Sequence, residues 1–200
     1  MSDSKRVVTV YTEASPNPNS LKFVLNFNLL ENVSIDYPTK EDASNSPLAT
    51  ALFEEYSFIQ RLFIAANFIT ITKDESTDWF EVNPQIRHFI KEWFMAEKAV
   101  FSEEIKATIE KKNEEIPAAS GSSEELIDKI KVVLDEYVRP AVEGDGGAIT
   151  FHSFNDGVVK VLLQGSCSGC PSSTITLKQG IENLLTRMVP EVKEVVAEGV

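Results

Sequence analysis

Cysteine is scarce in this sequence, whose 200 residues hold two thiols, Cys167 and Cys170. This number excludes a disulfide-rich scaffold, and it is half of the four ligands that a structural zinc ion or an iron-sulfur cluster usually takes. The two histidines, His88 and His152, are distant from the cysteine pair in sequence, and we interpret both as ordinary surface or packing residues. If the pair binds metal, the further ligands must therefore be Asp or Glu residues of the same chain or must come from a second copy of the chain.

Basic charge is also in deficit, with 19 Lys and Arg against 31 Asp and Glu and a formal net charge of -12. A nucleic-acid surface needs clustered Lys and Arg, so this composition argues against one. The most apolar stretch, residues 62–71, is too short for a membrane span and contains Asn67 and Thr70. Residues 1–25 lack the pattern of a signal peptide. We expect a cytoplasmic protein that binds neither nucleic acid nor membranes.

A compositional break at residues 112–123 predicts a flexible linker between two domains, residues 1–111 and 124–200. The segment is dominated by small, polar, Pro and Gly residues, which bury too little apolar surface to offset the entropy of ordering the chain. The alternative is a surface loop within one domain, although long structureless loops are uncommon inside compact domains.

The first segment has the pattern of an α+β domain. Its apolar runs predict strands at Val7–Tyr11, Leu21–Asn26, Phe58–Ile64 and Phe68–Thr72. Ser46-Pro47 and Asn83-Pro84 each resemble a cap residue followed by proline at the first helical position, so we predict a helix start at both. The segment has no cysteine, no glycine-rich phosphate loop and no paired nucleophile and base, so nothing in it indicates an enzyme.

The second segment predicts the order helix, strand, strand, helix, strand. An amphipathic helix should run from about Glu124 to Arg139-Pro140, and residues 144–147 should form a tight turn. Residues 148–154 and 158–164 then read as a β-hairpin closed by Asn155-Asp156-Gly157. A second amphipathic helix stops near Pro190, and residues 192–197 form the last strand.

The cysteine pair lies in the run Gly-Ser-Cys-Ser-Gly-Cys-Pro at residues 165–171, between a predicted strand and a predicted helix. Pro171 suits the first helical position, which makes Cys170 the expected cap residue. The free amides and positive dipole end of a helix start favour anions, which stabilises both a reactive thiolate and a metal-thiolate centre. Gly165 and Gly169 permit the backbone angles that a short chelating loop requires.

A symmetric dimer completes the ligand count, because two copies of Cys167 and Cys170 offer four thiolates to one cluster. A dithiol-disulfide oxidoreductase is the enzymatic alternative, although the placement of Pro171 and the hairpin before the motif differ from a thioredoxin-like pattern. A structural zinc ion bridging two chains is the third possibility. The residues alone do not decide between a [4Fe-4S] and a [2Fe-2S] cluster.

The motif at residues 165–171, together with Gly144-Asp145-Gly146-Gly147, closely resembles the NifU C-terminal-like domain of Nfu-type iron-sulfur cluster carriers. The similarity covers about Glu124 to Val200. The first segment resembles the Nfu N-terminal domain in three stretches, residues 17–23, 46–49 and 68–73. The resemblance therefore spans nearly the whole chain.

This resemblance implies a non-enzymatic carrier that binds a [4Fe-4S] cluster across a homodimer through Cys167 and Cys170. It implies an upstream scaffold as cluster donor and apo iron-sulfur proteins as recipients. The longer nitrogen-fixation scaffolds carry an additional cysteine-rich domain that this sequence lacks, which favours storage and delivery over assembly from a sulfur donor.

Overall fold

Two separate hydrophobic cores organise the chain, which divides into the units Met1–Glu115 and Ile116–Val200. The computed structural model describes residues 7–31, 33–106, 122–166 and 171–199. Both units combine helices with a β-sheet, which confirms the predicted α+β class with two small domains. Residues 112–121 of the predicted linker lie outside the described residues, and Ser122 and Ser123 belong to a helix, so the linker stays a prediction.

The described part of the first unit forms one antiparallel sheet covered by two helices on its core side. The elements are β1 (Val10–Ala14), β2 (Ser20–Leu25), β3 (Ser34–Tyr37), α1 (Pro47–Glu55), β4 (Ile59–Ala65), β5 (Phe68–Lys73) and α2 (Trp79–Met95), with a 3₁₀ turn at Glu41–Asn45. The strand order is β1-β2-β5-β4-β3. Phe23 and Ile69 of the sheet are fully buried in one core with Leu52 of α1 and Ile90 of α2.

The predicted start of α1 is confirmed. Ser46 is the cap residue, its hydroxyl accepts a hydrogen bond from the Ala49 amide at 3.2 Å, and Pro47 occupies the first helical position. The same hydroxyl donates to the carbonyl of Val100 at 2.6 Å. Ser46 is completely buried, so both contacts are shielded from water. One side chain thus caps α1 and holds a segment distant in sequence.

The predicted start of α2 at Asn83-Pro84 is wrong. The helix begins at Trp79, because the Asp78 carboxylate caps it by accepting a hydrogen bond from the Phe80 amide at 2.9 Å. Pro84 lies inside the helix and removes the bond to the carbonyl of Phe80. Both Phe80 and Pro84 are exposed, so water can satisfy that carbonyl.

The first strand also differs from the prediction, starting at Val10 instead of Val7. The Asn26 side chain explains the shift, since its amide oxygen accepts from the Thr9 amide at 3.0 Å and its NH₂ group donates to the Val7 carbonyl at 2.9 Å. A side chain replaces the neighbouring strand as hydrogen-bond partner there. The short strand β3 was not predicted, and it pairs with β4 at the edge of the sheet.

The described part of the second unit follows the predicted order of helix, strand, strand, helix and strand. Its elements are α3 (Ser122–Val133), a π-helical segment (Leu134–Val138), α4 (Arg139–Gly144), β6 (Gly147–Asn155), β7 (Val158–Gly165), α5 (Pro171–Met188) and β8 (Glu194–Gly199). The strand order is β6-β7-β8, with β6 antiparallel and β8 parallel to β7. Val159, Val161 and Leu163 of β7 alternate along the strand and are buried in the core.

The helix predicted to end at Arg139-Pro140 continues to Gly144. The chain inserts a π-helical segment, in which the Arg139 amide donates to the carbonyl of Leu134, five residues back. This segment starts a new helical register at α4, and Pro140 falls in its first turn, where a missing N-H costs little.

Replacing Ser46 by alanine should lower the free energy of unfolding of the first unit by about 2 kcal/mol, because the change removes a helix cap and a buried hydrogen bond. Both tryptophans of the chain, Trp79 and Trp93, lie in this unit, so urea denaturation followed by tryptophan fluorescence reports on it alone. Ser57→Ala, at an exposed serine, is the control and should change stability by less than about 0.5 kcal/mol. Equal midpoints for the two variants would contradict this assignment.

Two Gly→Ala changes in the second unit should have opposite effects. Gly157 closes the β6-β7 hairpin with φ of 90°, and an added Cβ would lie 2.9 Å from Cδ of Lys193, so Gly157→Ala should destabilise the unit by about 1–3 kcal/mol. Gly180 lies within α5 with nothing within 4 Å of an added Cβ, so Gly180→Ala should stabilise it by about 0.5–1 kcal/mol. Native-state hydrogen-deuterium exchange of the β6 and β7 amides, read by mass spectrometry of peptides, reports on this unit alone and checks both signs.

Candidate functional site

The predicted cysteine motif begins where β7 ends, at Gly165, and ends where α5 begins, at Pro171. The structure confirms that the motif connects a strand to a helix with proline at the first helical position. Residues 167–170 lie outside the described residues, so the predicted roles of Cys167 and Cys170 as ligands stay predictions. The geometry of the two flanks defines what the motif is attached to.

Two glycines in the left-handed region bring the start of the motif against the glycine-rich turn. Gly165 has φ of 68° and Gly146 has φ of 83°, values that disfavour other residues. In the β6-β7 ladder, Gly147 is the direct partner of Gly165. Within the predicted turn at residues 144–147, Asp145 and Gly146 form the turn itself, Gly144 ends α4 and Gly147 begins β6. This turn lies next to the start of the motif.

Ser166 joins these two segments through its side chain and its backbone. Its hydroxyl donates to the Asp145 carbonyl at 2.5 Å, and its amide donates to the Gly146 carbonyl at 3.3 Å. The residue is only 2% exposed. The residue directly before Cys167 is thus bound on both its amide and its hydroxyl to one turn.

The other flank of the motif is the positive end of α5. The first amides of an α-helix have no partner within the helix, and together with the helix dipole they favour a negative charge. No acidic side chain occupies the first turn of α5 to neutralise this end. A thiolate or an anionic metal-thiolate centre at the motif would therefore be stabilised.

No alternative metal centre is apparent in the described residues, where no group of three or more His, Cys, Asp and Glu side chains is arranged to hold an ion. His88 lies exposed on α2. His152 lies exposed on β6, with its Nδ1 atom 3.2 Å from the Ser153 hydroxyl. The described helices also include none long and apolar enough to span a bilayer.

The hydrogen bonds of Ser166 are the feature of the site that the sequence did not predict. A serine between glycine and cysteine has no distinctive periodicity, and its partners are backbone carbonyls 20 and 21 positions earlier, which any residue type supplies. The available signal was the joint presence of the turn at residues 144–147 and of a strand ending in Gly165.

Comparison with known protein families gives two matches, which together cover most of the chain. The NifU-like domain matches residues 130–196, and the N-terminal domain described as scaffold protein Nfu/NifU matches residues 10–98. The two matches fall in the two structural units.

Curated relatives resemble the chain over nearly its full length. It is 39% identical to the human NFU1 iron-sulfur cluster scaffold homolog, mitochondrial, over 95% of this chain and 72% of the relative. It is 36% identical to the protein of the same name from Drosophila willistoni, over 96% of this chain and 64% of that protein. NifU-like protein 5, mitochondrial, from Arabidopsis thaliana is 36% identical, over 98% of this chain and 70% of the relative.

Among solved structures, the solution NMR structure of a NifU-like protein from Saccharomyces cerevisiae is 25% identical, with a TM-score of 0.43, over 52% of this chain and 92% of that protein.

The names of the curated relatives place those proteins in the mitochondrion. The predicted cytoplasmic location is therefore wrong.

Proposed function

The chain belongs to the Nfu/NifU family of iron-sulfur cluster scaffold proteins, and on that premise we propose that it carries a [4Fe-4S] cluster and delivers it to apo-proteins. In this proposal, Cys167 and Cys170 are the ligands, and two copies of the chain share one cluster. The observation that carries the proposal is the position of the only two thiols, between the anchored end of β7 and the positive end of α5.

The number of thiols supports a shared cluster. A [4Fe-4S] cluster takes four thiolates, one chain has two, and the described residues offer no other cluster of ligands. With four thiolates, the common oxidised cluster has a net charge of about -2, and each α5 start then faces this charge with its positive end. A dimer closed by a two-fold axis brings both helix starts to the cluster.

Delivery by ligand exchange requires no change of oxidation state. A deprotonated client cysteine binds one iron, the bond from that iron to Cys167 or Cys170 breaks, and the released thiolate takes up a proton. Four such steps move the cluster to the client. A cluster held by two short loops at the interface between two chains is more accessible to client thiolates than a cluster enclosed within a single domain.

We assign partner contacts to the first unit. It has its own core and no cysteine, so it needs the second unit for any thiolate ligand. Its α2 carries Phe80, which is 89% exposed, and Met95, which is 48% exposed. Arg87 and Lys91 lie between them on the exposed side and make no ion pair within the described residues. An upstream scaffold or a client protein is the kind of partner that this face suits.

Dithiol-disulfide exchange is the second candidate function, favoured by the same placement of the motif at a helix start. It predicts turnover on a disulfide substrate and a dithiol potential near those of known oxidoreductases. The carrier proposal expects neither.

Anaerobic reconstitution with iron and sulfide should load about two irons and two sulfides per chain, the content of one four-iron cluster shared by two chains. Size-exclusion chromatography should show a shift to dimer upon loading. Cys167→Ala/Cys170→Ala should abolish both, whereas His152→Ala, which removes an exposed potential ligand of the same unit, should change neither. About one iron per chain would indicate a [2Fe-2S] cluster, and zinc without sulfide would favour a zinc-bridged dimer.

The loaded chain should transfer its cluster to a bacterial-type apo-ferredoxin, which provides four cysteines for a [4Fe-4S] cluster. Mixing should produce the ferredoxin spectrum at a rate that rises with ferredoxin concentration, because client thiolates take part in the exchange. Phe80→Ser alters the exposed face of α2 that we assign to partner contacts and should slow the transfer. Its control, Tyr11→Ser at an exposed aromatic residue on β1, should leave the transfer rate unchanged. A rate independent of acceptor concentration would indicate release into solution and would count against direct delivery.

A further inference from the structure

Ser166 has a set of contacts that the proposed ligand function does not require. Its hydroxyl binds the Asp145 carbonyl and its amide binds the Gly146 carbonyl, at 2.5 Å and 3.3 Å. Both acceptors belong to the turn between α4 and β6. The residue is buried, so water does not replace these bonds at low cost.

The turn itself is built to present its carbonyls to Ser166. The Asp145 amide is bound to the Ala141 carbonyl at 3.0 Å, and the Gly146 amide to the Glu143 carbonyl at 3.0 Å, so both residues are held by the end of α4. Gly146 then takes φ of 83°, which reverses the chain into β6. The acceptors of Ser166 are therefore fixed by a helix on one side and a strand on the other.

From these contacts we propose that Ser166 is a positioning residue for the first ligand, fastening the chain before Cys167 to the Asp145-Gly146 turn. We name these contacts the Ser166 latch, and the inference rests on the proposed cluster function. Peptide bonds connect Ser166 directly to Cys167, so movement at Ser166 moves the thiolate. The latch gives the glycine-rich turn a role in holding the cluster.

The expected consequence concerns the rate of cluster loss. When one iron-thiolate bond opens, an anchored Cys167 stays close and can bind again, whereas an unanchored one searches more conformations first. Ser166→Ala removes the hydroxyl bond and retains the amide bond. We expect cluster loss to accelerate by about two- to tenfold, the range that the loss of one neutral hydrogen bond gives.

The test uses the full-length chain, loaded anaerobically and then mixed with excess EDTA, and it records the decay of the cluster absorption. Ser166→Ala should lose its cluster faster than the unmodified chain. Ser166→Thr keeps a hydroxyl and should restore the original rate, and Ser153→Ala, a serine on β6 of the same unit, should not alter it. Equal rates for Ser166→Ala and Ser153→Ala, or a Ser166→Thr rate as fast as that of Ser166→Ala, would overturn the proposal.

A second measurement separates the latch from the cluster function. In the metal-free chain, iodoacetamide alkylation is timed by tandem mass spectrometry, because fragments that separate Cys167 from Cys170 assign the label to one thiol within the tryptic peptide that contains both. Ser166→Ala should change the Cys167 rate relative to the Cys170 rate, since the latch adjoins the first thiol. An unchanged ratio would overturn the latch even if the chain binds iron. A changed ratio in a chain that takes up no iron would support the latch and reject the carrier function.

Discussion

The pairing of β6 with β7 is the constraint on which the rest of the second unit depends. Its register sets Gly147 opposite Gly165, and this single alignment brings the end of α4, the glycine-rich turn and the start of the cysteine motif to one end of the sheet. A slip of one residue would turn Val159, Val161 and Leu163 out of the core, so the apolar alternation that builds the core also fixes the site. The same ladder of hydrogen bonds therefore supports both the core and the candidate site.

The sequence predicted the features that depend on local chemistry. Ser46-Pro47 is a helix start because a side-chain cap acts within three residues, and the β6-β7 hairpin follows from Asp156-Gly157, both of which adopt positive φ. The predictions failed where a distant or competing partner decided the outcome. Asp78 caps α2, so the helix begins upstream of Asn83-Pro84. The Asn26 side chain binds the Val7 carbonyl and the Thr9 amide, so these two groups do not pair with a neighbouring strand.

Pro140 and Ser166 illustrate two further limits of prediction from sequence. A proline in an apolar helical pattern usually ends the helix, and a π-helical segment that resets the register is visible only in the backbone. Ser166 binds main-chain carbonyls, which every residue type has, so no sequence pattern marks these partners. The contacts can be recognised only once the register of the sheet is known. The two candidate ligands can be proposed from the sequence because the chain has only two thiols and they lie three positions apart, and their role as ligands stays a prediction.

The parallel pairing of β7 with β8 has a consequence for the order of events during synthesis. The strand that precedes the motif gains its neighbour β6 immediately, but its other edge waits for β8, which leaves the ribosome only after the motif and all of α5. The thiols therefore emerge before the sheet behind them is complete.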